Sequence, residues 1–374
     1  MIRVVDIFKQ IERLGIEMVA GVPDSTLKQF CDGLQTYNGR FRHCVTANEG
    51  AAVGIAIGTY LASGKPACIY MQNSGIGNAV NPIVSLAHRD VYGIPMLFIV
   101  GWRGEPGTKD EPQHVFQGKV TCQMFDTLEI PYAVISAQTT ETELESIWGL
   151  CEMAFKEGKQ FAIIVKKGTF FSETKYIWDN GNSLNREGVL RNILENAPHD
   201  GIIVSTTGKI SRELYEQCGL LYGNHDALFM TVGGMGHASM IAYGIAVNKP
   251  DRHVICIDGD GAALMHMGAM AFIASQAPEN YVHIVINNMA HESVGAMPTG
   301  CQNTNFAMLA RAAGYVEAQR IENGRELEGM REKLRKAGPV LYEIMVSLDS
   351  REDLGRPKES ARENAASFIR FLNH

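Results

Sequence analysis

Short apolar runs recur along this chain and alternate with longer segments in which apolar side chains return every three or four positions. The short runs predict buried strands, and the longer segments predict amphipathic helices. Up to about Lys167, strands are predicted at Met18–Gly21, His43–Thr46, Ala67–Met71, Pro95–Val100, Tyr132–Ile135 and Phe161–Val165. Helices are predicted there at Val4–Leu14, Ser25–Leu34, Glu49–Ala62, Asn78–Ala87 and Thr140–Lys156.

The alternation stops at 168–185, which is rich in Thr, Ser, Asn and Gly, and then restarts. The second half predicts strands at Ile202–Thr206, Leu228–Val232, Val254–Ile257, Val282–Ile286 and Val340–Val346. It predicts helices at Arg186–Asn196, Ser211–Cys218, Ala238–Val247, Leu264–Ser275, Phe306–Ala313 and Arg325–Lys336. Such alternation is typical of right-handed βαβ units. We therefore expect an α/β fold with two doubly wound parallel-sheet domains, at 1–168 and 186–374, joined by a linker at 169–185.

Composition narrows the class of protein. The 374 residues are 45% hydrophobic and 20% charged, which suits two globular domains with large cores. The net charge of −7 disfavours non-specific nucleic-acid binding, and no apolar run reaches the roughly 18 residues of a membrane span. Eight cysteines without a C-x-x-C pair are typical of reduced thiols, and the first residues lack a signal-peptide core. We expect a cytoplasmic protein with a small-molecule substrate and neither nucleic-acid nor membrane partners.

Polar side chains follow two successive predicted strands of the second half. The run IDGDGA places Asp260 at one strand end, and Asn287-Asn288 stands at the next. Because parallel strands end at one edge of a sheet, these side chains should lie close together, with oxygens suited to Mg²⁺. An EF-hand starting at Asp258 would need Glu where Ala269 stands, and the Gly-Lys-Ser/Thr of a P-loop is missing. The pattern favours a magnesium–diphosphate site.

GDG followed by NN, with Glu49 about two hundred residues upstream, resembles the thiamine diphosphate (ThDP) enzymes. The resemblance covers nearly the whole chain. It implies a pyrimidine-binding domain, then a diphosphate-binding domain, with no room for the middle domain of many relatives. It implies ThDP and Mg²⁺ as cofactors, and it gives Glu49 the catalytic position beside N1′ of the aminopyrimidine. A glutamate at a helix start could instead only compensate the helix dipole.

The same resemblance assigns residues to the cofactor. Mg²⁺ would be held by Asp260, Asn288 and the carbonyl of Ala290, with Asn287 as the alternative ligand. In GGMGHA, Met235 would wedge between the two cofactor rings, unless it is an ordinary core methionine. Lys209 in TTGK could face the diphosphate or solvent. The implied cofactor-binding residues are Gly233, Gly234, Met235, Thr207, Gly259, Asp260, Gly261, Ala262 and Asn288.

Two segments of the first half are candidates for the substrate side. The run GVPDS resembles the GxPG(D/S) loop of ThDP decarboxylases, which puts Ser25 at a catalytic position next to Asp24, although a helix N-cap is the simpler reading. Gly101–His114 is predicted as a long loop, and such loops are usually functional. His114 falls where family decarboxylases carry active-site histidines, with a surface histidine as the alternative. The catalytic candidates are therefore Glu49, Ser25 and His114.

The runs NEGAAVGIAIG, TTGKISREL and GGMGHAS are similar to the two-domain branch that decarboxylates phosphonopyruvate or sulfopyruvate, and the tail REDLGRP favours the phosphonate side. This implies a carboxy-lyase of phosphonate (2-aminoethylphosphonate) biosynthesis, and a homodimer or higher oligomer whose active sites lie between chains. A non-catalytic ThDP-binding module is the alternative from another class, but it would lack Glu49. A dianionic substrate needs cationic groups in an acidic protein. The candidates are Arg103, Lys109, His291, Arg351 and Arg356.

Overall fold

Two six-stranded parallel β-sheets organise the chain. They are seen in a computed structural model that describes residues 1–348 and 350–373. Unit 1 contains Met1–Ile177 and Val294–Gly300, and unit 2 contains Trp178–Ser293 and the chain from Cys301 onward. The α/β class and the parallel sheets confirm the predicted fold class.

Unit 1 is built from eight strands and six helices in its first 177 residues. The strands are β1 (Ile2–Arg3), β2 (Met18–Gly21), β3 (Arg42–Val45), β4 (Ala67–Gln72), β5 (Met96–Gly101), β6 (Tyr132–Ile135), β7 (Phe161–Val165) and β8 (Phe170–Phe171). The helices are α1 (Val4–Arg13), α2 (Lys28–Thr36), α3 (Glu49–Ser63), α4 (Ile76–Pro82), α5 (Pro112–Thr127) and α6 (Glu141–Lys156), with a π-helical turn at Ile83–Ala87. The large sheet has the order β3-β2-β4-β5-β7-β6, and β1 pairs with β8.

Unit 2 repeats this plan. Its strands begin with β9 (Ile202–Ser205), β10 (Leu228–Met230), β11 (Val254–Gly259), β12 (Tyr281–Asn287) and β13 (Ala290–His291). After β14 (Met297–Pro298), which belongs to unit 1, the chain adds β15 (Glu317–Ile321) and β16 (Val340–Met345) to unit 2. The helices are α7 (Arg186–Asn196), α8 (Lys209–Tyr222), α9 (Ala238–Asn248), α10 (Asp260–Met265), α11 (Gly268–Gln276), α12 (Phe306–Ala313), α13 (Met330–Lys333) and α14 (Ala361–Leu372).

The six strands of each large sheet lie in the same spatial order. In unit 2 this order is β10-β9-β11-β12-β16-β15, which matches unit 1 strand for strand. In each large sheet the second strand along the chain is added on one side of the first, and the third is added on the other side. The winding direction therefore reverses between β2 and β4 in unit 1, and between β9 and β11 in unit 2. Open α/β sheets bind ligands beyond the carboxyl ends of the strands at such a reversal. Each unit therefore has one preferred edge for a site.

Apolar side chains cover both faces of the sheets. In unit 2, Ile257 of β11 packs into one core cluster with Leu190 and Leu214, while its neighbour Cys256 packs into another with Ala242 and Phe306. Each buried Leu or Ile contributes roughly 1.5–3 kcal/mol of transfer free energy. Burial on both faces explains why these strands appear in the sequence as continuous apolar runs rather than alternating ones.

Helix boundaries follow from local capping. The Asn48 side chain accepts a hydrogen bond from the Ala51 N–H at 2.8 Å, and Gly64 ends α3 in the left-handed region at φ 69°. Capping boxes begin α6 at Thr140 and α14 at Ser360. Such caps satisfy amide groups that have no partner inside the helix, so they fix where each helix starts.

Several predicted elements differ from the structure. The predicted helix Arg325–Lys336 is wrong over most of its length, because Gly329 takes a left-handed conformation at φ 73° and only Met330–Lys333 is helical. The predicted Leu264–Ser275 helix is divided into α10 and α11 by the non-helical His266. Helix α5 was not predicted, and its first residues were assigned to the loop Gly101–His114. Strand β15 and helix α14 were not predicted either. Among the described residues, no helix has the length and apolar content needed to cross a bilayer.

Candidate functional site

A cleft with a volume of about 90 Å³ opens in unit 2 where β9 and β11 end. Its walls come from residues 206–210 after β9, residues 259–262 after β11, and residues 288 and 290–292 after β12. Arg186, Met235 and Ile286 complete the lining. The cleft therefore lies at the reversal of strand order, where ligand binding is expected for this topology.

The wall after β9 leads into the start of α8. Thr207, Gly208 and Lys209 line the cleft, and Lys209 is the first residue of this 14-residue helix. Gly208 has φ 90° and ψ −143°, a conformation that side chains with a Cβ atom rarely adopt. The first amide groups of a helix lack internal partners and carry its positive dipole end, so this wall favours an anion.

Asp260 forms the wall after β11. It is the first residue of α10, and only 3% of its surface is exposed. The thiol of Cys301 donates a hydrogen bond to its Oδ2 atom at 3.3 Å. The sequence IDGDGA thus folds into a strand end followed at once by a helix start, which presents a buried carboxylate to the cleft.

Asn287 ends β12 and Asn288 follows it, and their side chains point in different directions. Asn287 is fully buried, and its Nδ2 donates to Glu343 Oε1 at 2.8 Å while its Oδ1 accepts from the Met289 N–H at 2.9 Å. Asn288 lines the cleft, with its Oδ1 accepting from the Ala290 N–H at 3.1 Å. Successive residues of a strand face opposite sides, so only one of the pair can reach the site. That residue is Asn288.

Cationic groups and one carboxylate occupy the remaining wall. Arg186 is 2% exposed and donates from Nε and Nη2 to Glu213, each at 2.7 Å. Its Nη1 donates to Glu292, and Lys209 Nζ donates to the same carboxylate at 2.9 Å. Asn288 Nδ2 also donates to Glu292, at 2.8 Å. Glu292 is thus the shared acceptor of three donors in the cleft.

Burial and the neighbouring cations shift the pKa values of the two carboxyl groups in this cluster, Glu292 and Glu213, in opposite directions. Burial opposes ionisation of Glu292, but Arg186 and Lys209 outweigh this effect and lower the pKa of the carboxyl. Burial raises the pKa of Glu213 in spite of its contact with Arg186. Sequence analysis missed Arg186, which it treated only as a helix start, and Glu292. The sole signal for Glu292 was its place four residues after Asn288.

The predicted methionine segment also reaches the cleft. Met235 lines it, and Gly233 and Gly234 lie in the loop that leads to it and then to α9. Gly234 and Gly236 have φ 62° and 88°, and a Cβ atom on Gly236 would lie 2.6 Å from the His266 ring. The loop therefore needs glycine on both sides of Met235 to hold its conformation.

Together these groups form a donor set that fits a magnesium-bound diphosphate. Asp260, Asn288 Oδ1 and the Ala290 carbonyl are hard oxygen donors, which Mg²⁺ prefers. The start of α8 and the cations Arg186 and Lys209 suit the negative charge of phosphate. His291 lines the same cleft, and burial lowers its pKa to about 4.

Glu49 lies in unit 1 at the first position of α3, after β3. It is 5% exposed, and Asn78 Nδ2 donates to its Oε2 at 2.8 Å. A Cβ atom on Gly75 would lie 2.4 Å from Glu49 Oε1, so a larger residue there would displace the Glu49 carboxylate. Asn48 provides the N-cap, which leaves the Glu49 side chain free of that role.

A second cluster in unit 1 joins the ends of β2 and β5. Arg103 Nη1 donates to Ser25 Oγ at 2.9 Å, and its Nε donates to Asp110 Oδ2 at 2.8 Å. Asp24 is fully buried and accepts from the Thr26 N–H at 2.8 Å. Burial raises the pKa of Asp24 to about 6, although Arg103 opposes this shift. Two of the predicted substrate-side residues, Ser25 and Arg103, are thus in direct contact.

His114 is the third residue of α5 rather than part of a loop, because Pro112 starts that helix. It is half-buried, and burial together with Arg103 lowers its pKa to about 4. The ring is therefore neutral at pH 7. Lys109 lies exposed in the segment between Arg103 and α5.

The tail cations lie outside the cleft that contains Asp260. Arg351 contacts three carboxylates: Glu187 at 2.8 Å, Asp353 at 3.1 Å, and Glu216. Arg356 is exposed. Of the predicted substrate-side cations in unit 2, His291 lines the cleft. Arg351 instead forms ion pairs at the surface.

Comparison with known proteins gives matches over both halves. The N-terminal TPP binding domain of thiamine pyrophosphate enzymes matches residues 4–128, and the C-terminal TPP binding domain matches residues 219–344. The phosphonopyruvate decarboxylase of Streptomyces viridochromogenes is 32% identical and covers 100% of this chain and 95% of its own length. The enzyme of the same name from Streptomyces hygroscopicus is 31% identical, with 99% and 94% covered. The sulfopyruvate decarboxylase of Methanosarcina acetivorans is 27% identical, with 89% and 87% covered.

Proposed function

The chain belongs to the thiamine pyrophosphate enzymes as a decarboxylase of the phosphonopyruvate and sulfopyruvate type, and from this premise we propose that it converts 3-phosphonopyruvate to phosphonoacetaldehyde and CO₂. The observation that carries the proposal is the cleft of unit 2, whose oxygen donors, helix start and cations suit a magnesium-bound diphosphate. When bound, ThDP supplies an electron sink for the charge left on carbon as CO₂ departs. The protein's task is to bind, orient and protonate.

We assign the metal and the diphosphate to groups on three strand ends. Asp260, Asn288 Oδ1 and the Ala290 carbonyl would hold Mg²⁺, which is why Asn288 is preferred over the buried Asn287. Thr207 and the first amides of α8 would face phosphate oxygens, as would Gly259, Gly261 and Ala262 beside Asp260. Met235 would support the bent cofactor from the opposite wall.

Glu49 is proposed to exchange a proton with N1′ of the aminopyrimidine. A carboxylate with little solvent around it is a stronger hydrogen-bond partner than an exposed one, because water does not compete. Asn78 fixes one oxygen of the carboxylate, so its direction does not depend on the ligand. This geometry supports a positioned acid–base group, which typically contributes a factor of about 10²–10⁴ in rate.

Ser25, Arg103 and His114 are proposed to act on the substrate. Ser25 Oγ and Arg103 offer hydrogen-bond donors to a carboxylate, and Asp110 holds the guanidinium in place through two contacts. A neutral His114 can donate to or accept from a reacting oxygen without adding charge. Lys109 is proposed to reach the phosphonate, since it is exposed beside this cluster.

Sulfopyruvate is the second candidate substrate, because a relative named for that activity also matches most of the chain. Both acids carry an anionic group on the third carbon, so the same cationic contacts could serve either. We favour phosphonopyruvate on the higher identity of the two full-length relatives named for it. With it we propose a place in phosphonate biosynthesis, a cytoplasmic location, and a homodimer or higher oligomer.

The deciding experiment incubates the pure protein with ThDP, Mg²⁺ and phosphonopyruvate, sulfopyruvate or pyruvate, and measures CO₂ release. We expect the highest kcat/KM on phosphonopyruvate. Faster release from sulfopyruvate would transfer the assignment to the second candidate. Cofactor binding without release from any of the acids would instead indicate a non-catalytic ThDP-binding module. Sedimentation of the same sample tests the oligomer.

A further inference from the structure

Glu292 is an acidic side chain in a cleft otherwise suited to anions. Its carboxylate accepts from Arg186 Nη1, from Lys209 Nζ at 2.9 Å and from Asn288 Nδ2 at 2.8 Å. All four side chains line the cleft that also contains Asp260. The donors that would bind a phosphate oxygen are therefore already engaged by a carboxylate of the chain itself.

Arg186 does not need Glu292 for its own neutralisation. A buried guanidinium without a counter-charge would be strongly destabilising. Glu213 already supplies that charge through two hydrogen bonds of 2.7 Å, and both side chains are 2% exposed. The Nη1 edge of Arg186 therefore remains available as a donor for a second anion, whichever one is present. The amine of Lys209 donates to Glu292 and to Ser350 Oγ, and an ammonium group has three protons to donate.

The backbone around Glu292 forms only short elements. Glu292 starts a three-residue 3-10 turn, which follows the two-residue strand Ala290–His291. Met289, just before that strand, has φ 58°, a region that non-glycine residues rarely occupy. Elements this short are held by few backbone hydrogen bonds, so they open more easily than the central strands.

We propose that the Glu292 carboxylate is an internal placeholder for phosphate: it holds the donors of Arg186, Lys209 and Asn288 until a diphosphate oxygen replaces it. The identity of that diphosphate as the one of ThDP rests on the proposed function. The exchange keeps the charges of Arg186 and Lys209 paired in both states. It also weakens cofactor binding, because the incoming anion must displace an ion pair before it gains its own.

The test is calorimetric titration of the cofactor-free full chain with inorganic pyrophosphate and Mg²⁺, without any turnover. Glu292→Gln keeps the size and the acceptor for Asn288 but removes the competing charge. We expect its Kd for magnesium pyrophosphate to be about tenfold lower than that of the wild type, or a gain of about 1.4 kcal/mol. The rise in thermal midpoint caused by pyrophosphate should increase in parallel.

Glu195→Gln is the matched control, since it removes the same charge from a surface pair with Arg191 at 2.8 Å on α7. Its pyrophosphate affinity should equal that of the wild type. Lys209→Met, at a partly exposed position, should lose about tenfold in affinity while its midpoint without ligand stays close to the wild type. This second variant tests the contribution of the Lys209 donor, and its midpoint without ligand reports any loss of stability.

The outcomes separate the two proposals. Equal affinity of the wild type and Glu292→Gln would overturn the placeholder but leave the diphosphate cleft intact. Weaker binding by Glu292→Gln would also overturn it and would make Glu292 a direct ligand. If neither protein bound magnesium pyrophosphate or ThDP, the cofactor cleft itself would be misassigned, and the proposed function would fail with it.

Discussion

The pair Asn287 and Asn288 gives the sharpest test of the site, because neighbouring residues of the same type are expected to have opposite roles. In Asn287→Ala, Glu343 loses a donor at 2.8 Å, and the Met289 amide loses its acceptor at 2.9 Å. A hydrogen bond to a charged group is worth about 1.5–3 kcal/mol and a neutral one about 0.5–1.5 kcal/mol. The variant should therefore lose about 2–4.5 kcal/mol of unfolding free energy.

The loss is bounded because Glu343 keeps its contact with Arg320, whose Nη2 donates to it at 2.8 Å. For a domain of this size, the expected change corresponds to a fall in melting temperature of roughly 4–18 °C. Mg²⁺-dependent ThDP affinity should stay within about tenfold of the wild type, since the Asn287 side chain faces away from the cleft.

Asn288→Ala should differ from Asn287→Ala in binding. Its side chain donates to Glu292 and accepts from the Ala290 amide at the cleft, so its removal should cost a similar amount of stability, about 2–4.5 kcal/mol, and should also abolish most Mg²⁺-dependent binding. Urea titration measures the unfolding free energy of both variants, and calorimetry measures their affinity for ThDP with Mg²⁺. A stable Asn287→Ala protein that cannot bind the metal would refute the assignment of faces.

Four further predictions concern other residues. Glu49→Gln should keep ThDP binding but slow exchange of the thiazolium C2 proton by at least ~10²-fold, and an unchanged exchange rate by NMR would contradict its role. Asp260→Ala should fold but lose Mg²⁺-dependent ThDP binding in calorimetry, because it removes the anionic ligand; wild-type affinity would place the metal elsewhere. Lys109→Met should lower kcat/KM for phosphonopyruvate about ten- to a hundred-and-fifty-fold and leave that for pyruvate nearly unchanged, whereas equal losses on both acids would indicate a structural role. The folded pKa of Asp24, about 6, lies above its ordinary 3.8, so its contribution to stability is present below about pH 4 and is lost as pH rises to about 6. Asp24→Asn should accordingly gain up to about 3 kcal/mol over the wild type in urea titrations at about pH 7 and nothing at about pH 4; the same gain at both values would exclude the carboxyl as the cause.

Several strands could be predicted closely from their residues. The bounds of β2 and β7 agree with the prediction, because continuous apolar runs in a parallel sheet are mostly buried and leave little ambiguity. The bounds of the edge strand β6 also agree, although its Val134 is exposed. Helix α5 was harder, since its burial is spread around the helix and its start at Pro112 resembles loop chemistry. Edge strand β15, EAQRI, carries too many polar side chains to be recognised as a strand from its own sequence.

The sequence by itself determined the fold class, the cofactor family and the residue types at the strand ends, because apolar periodicity and the GDG and NN spacing are local properties of the chain. Tertiary structure alone decided which asparagine faces the cleft, since that depends on the direction of the last residue of β12. It alone brought Arg186, Lys209 and Glu292 together from three distant segments of the chain. Ion pairs between long side chains cannot be predicted from sequence, because each charged residue could equally be solvated at the surface. Only the packing of the surrounding chain decides whether such a side chain is buried and paired.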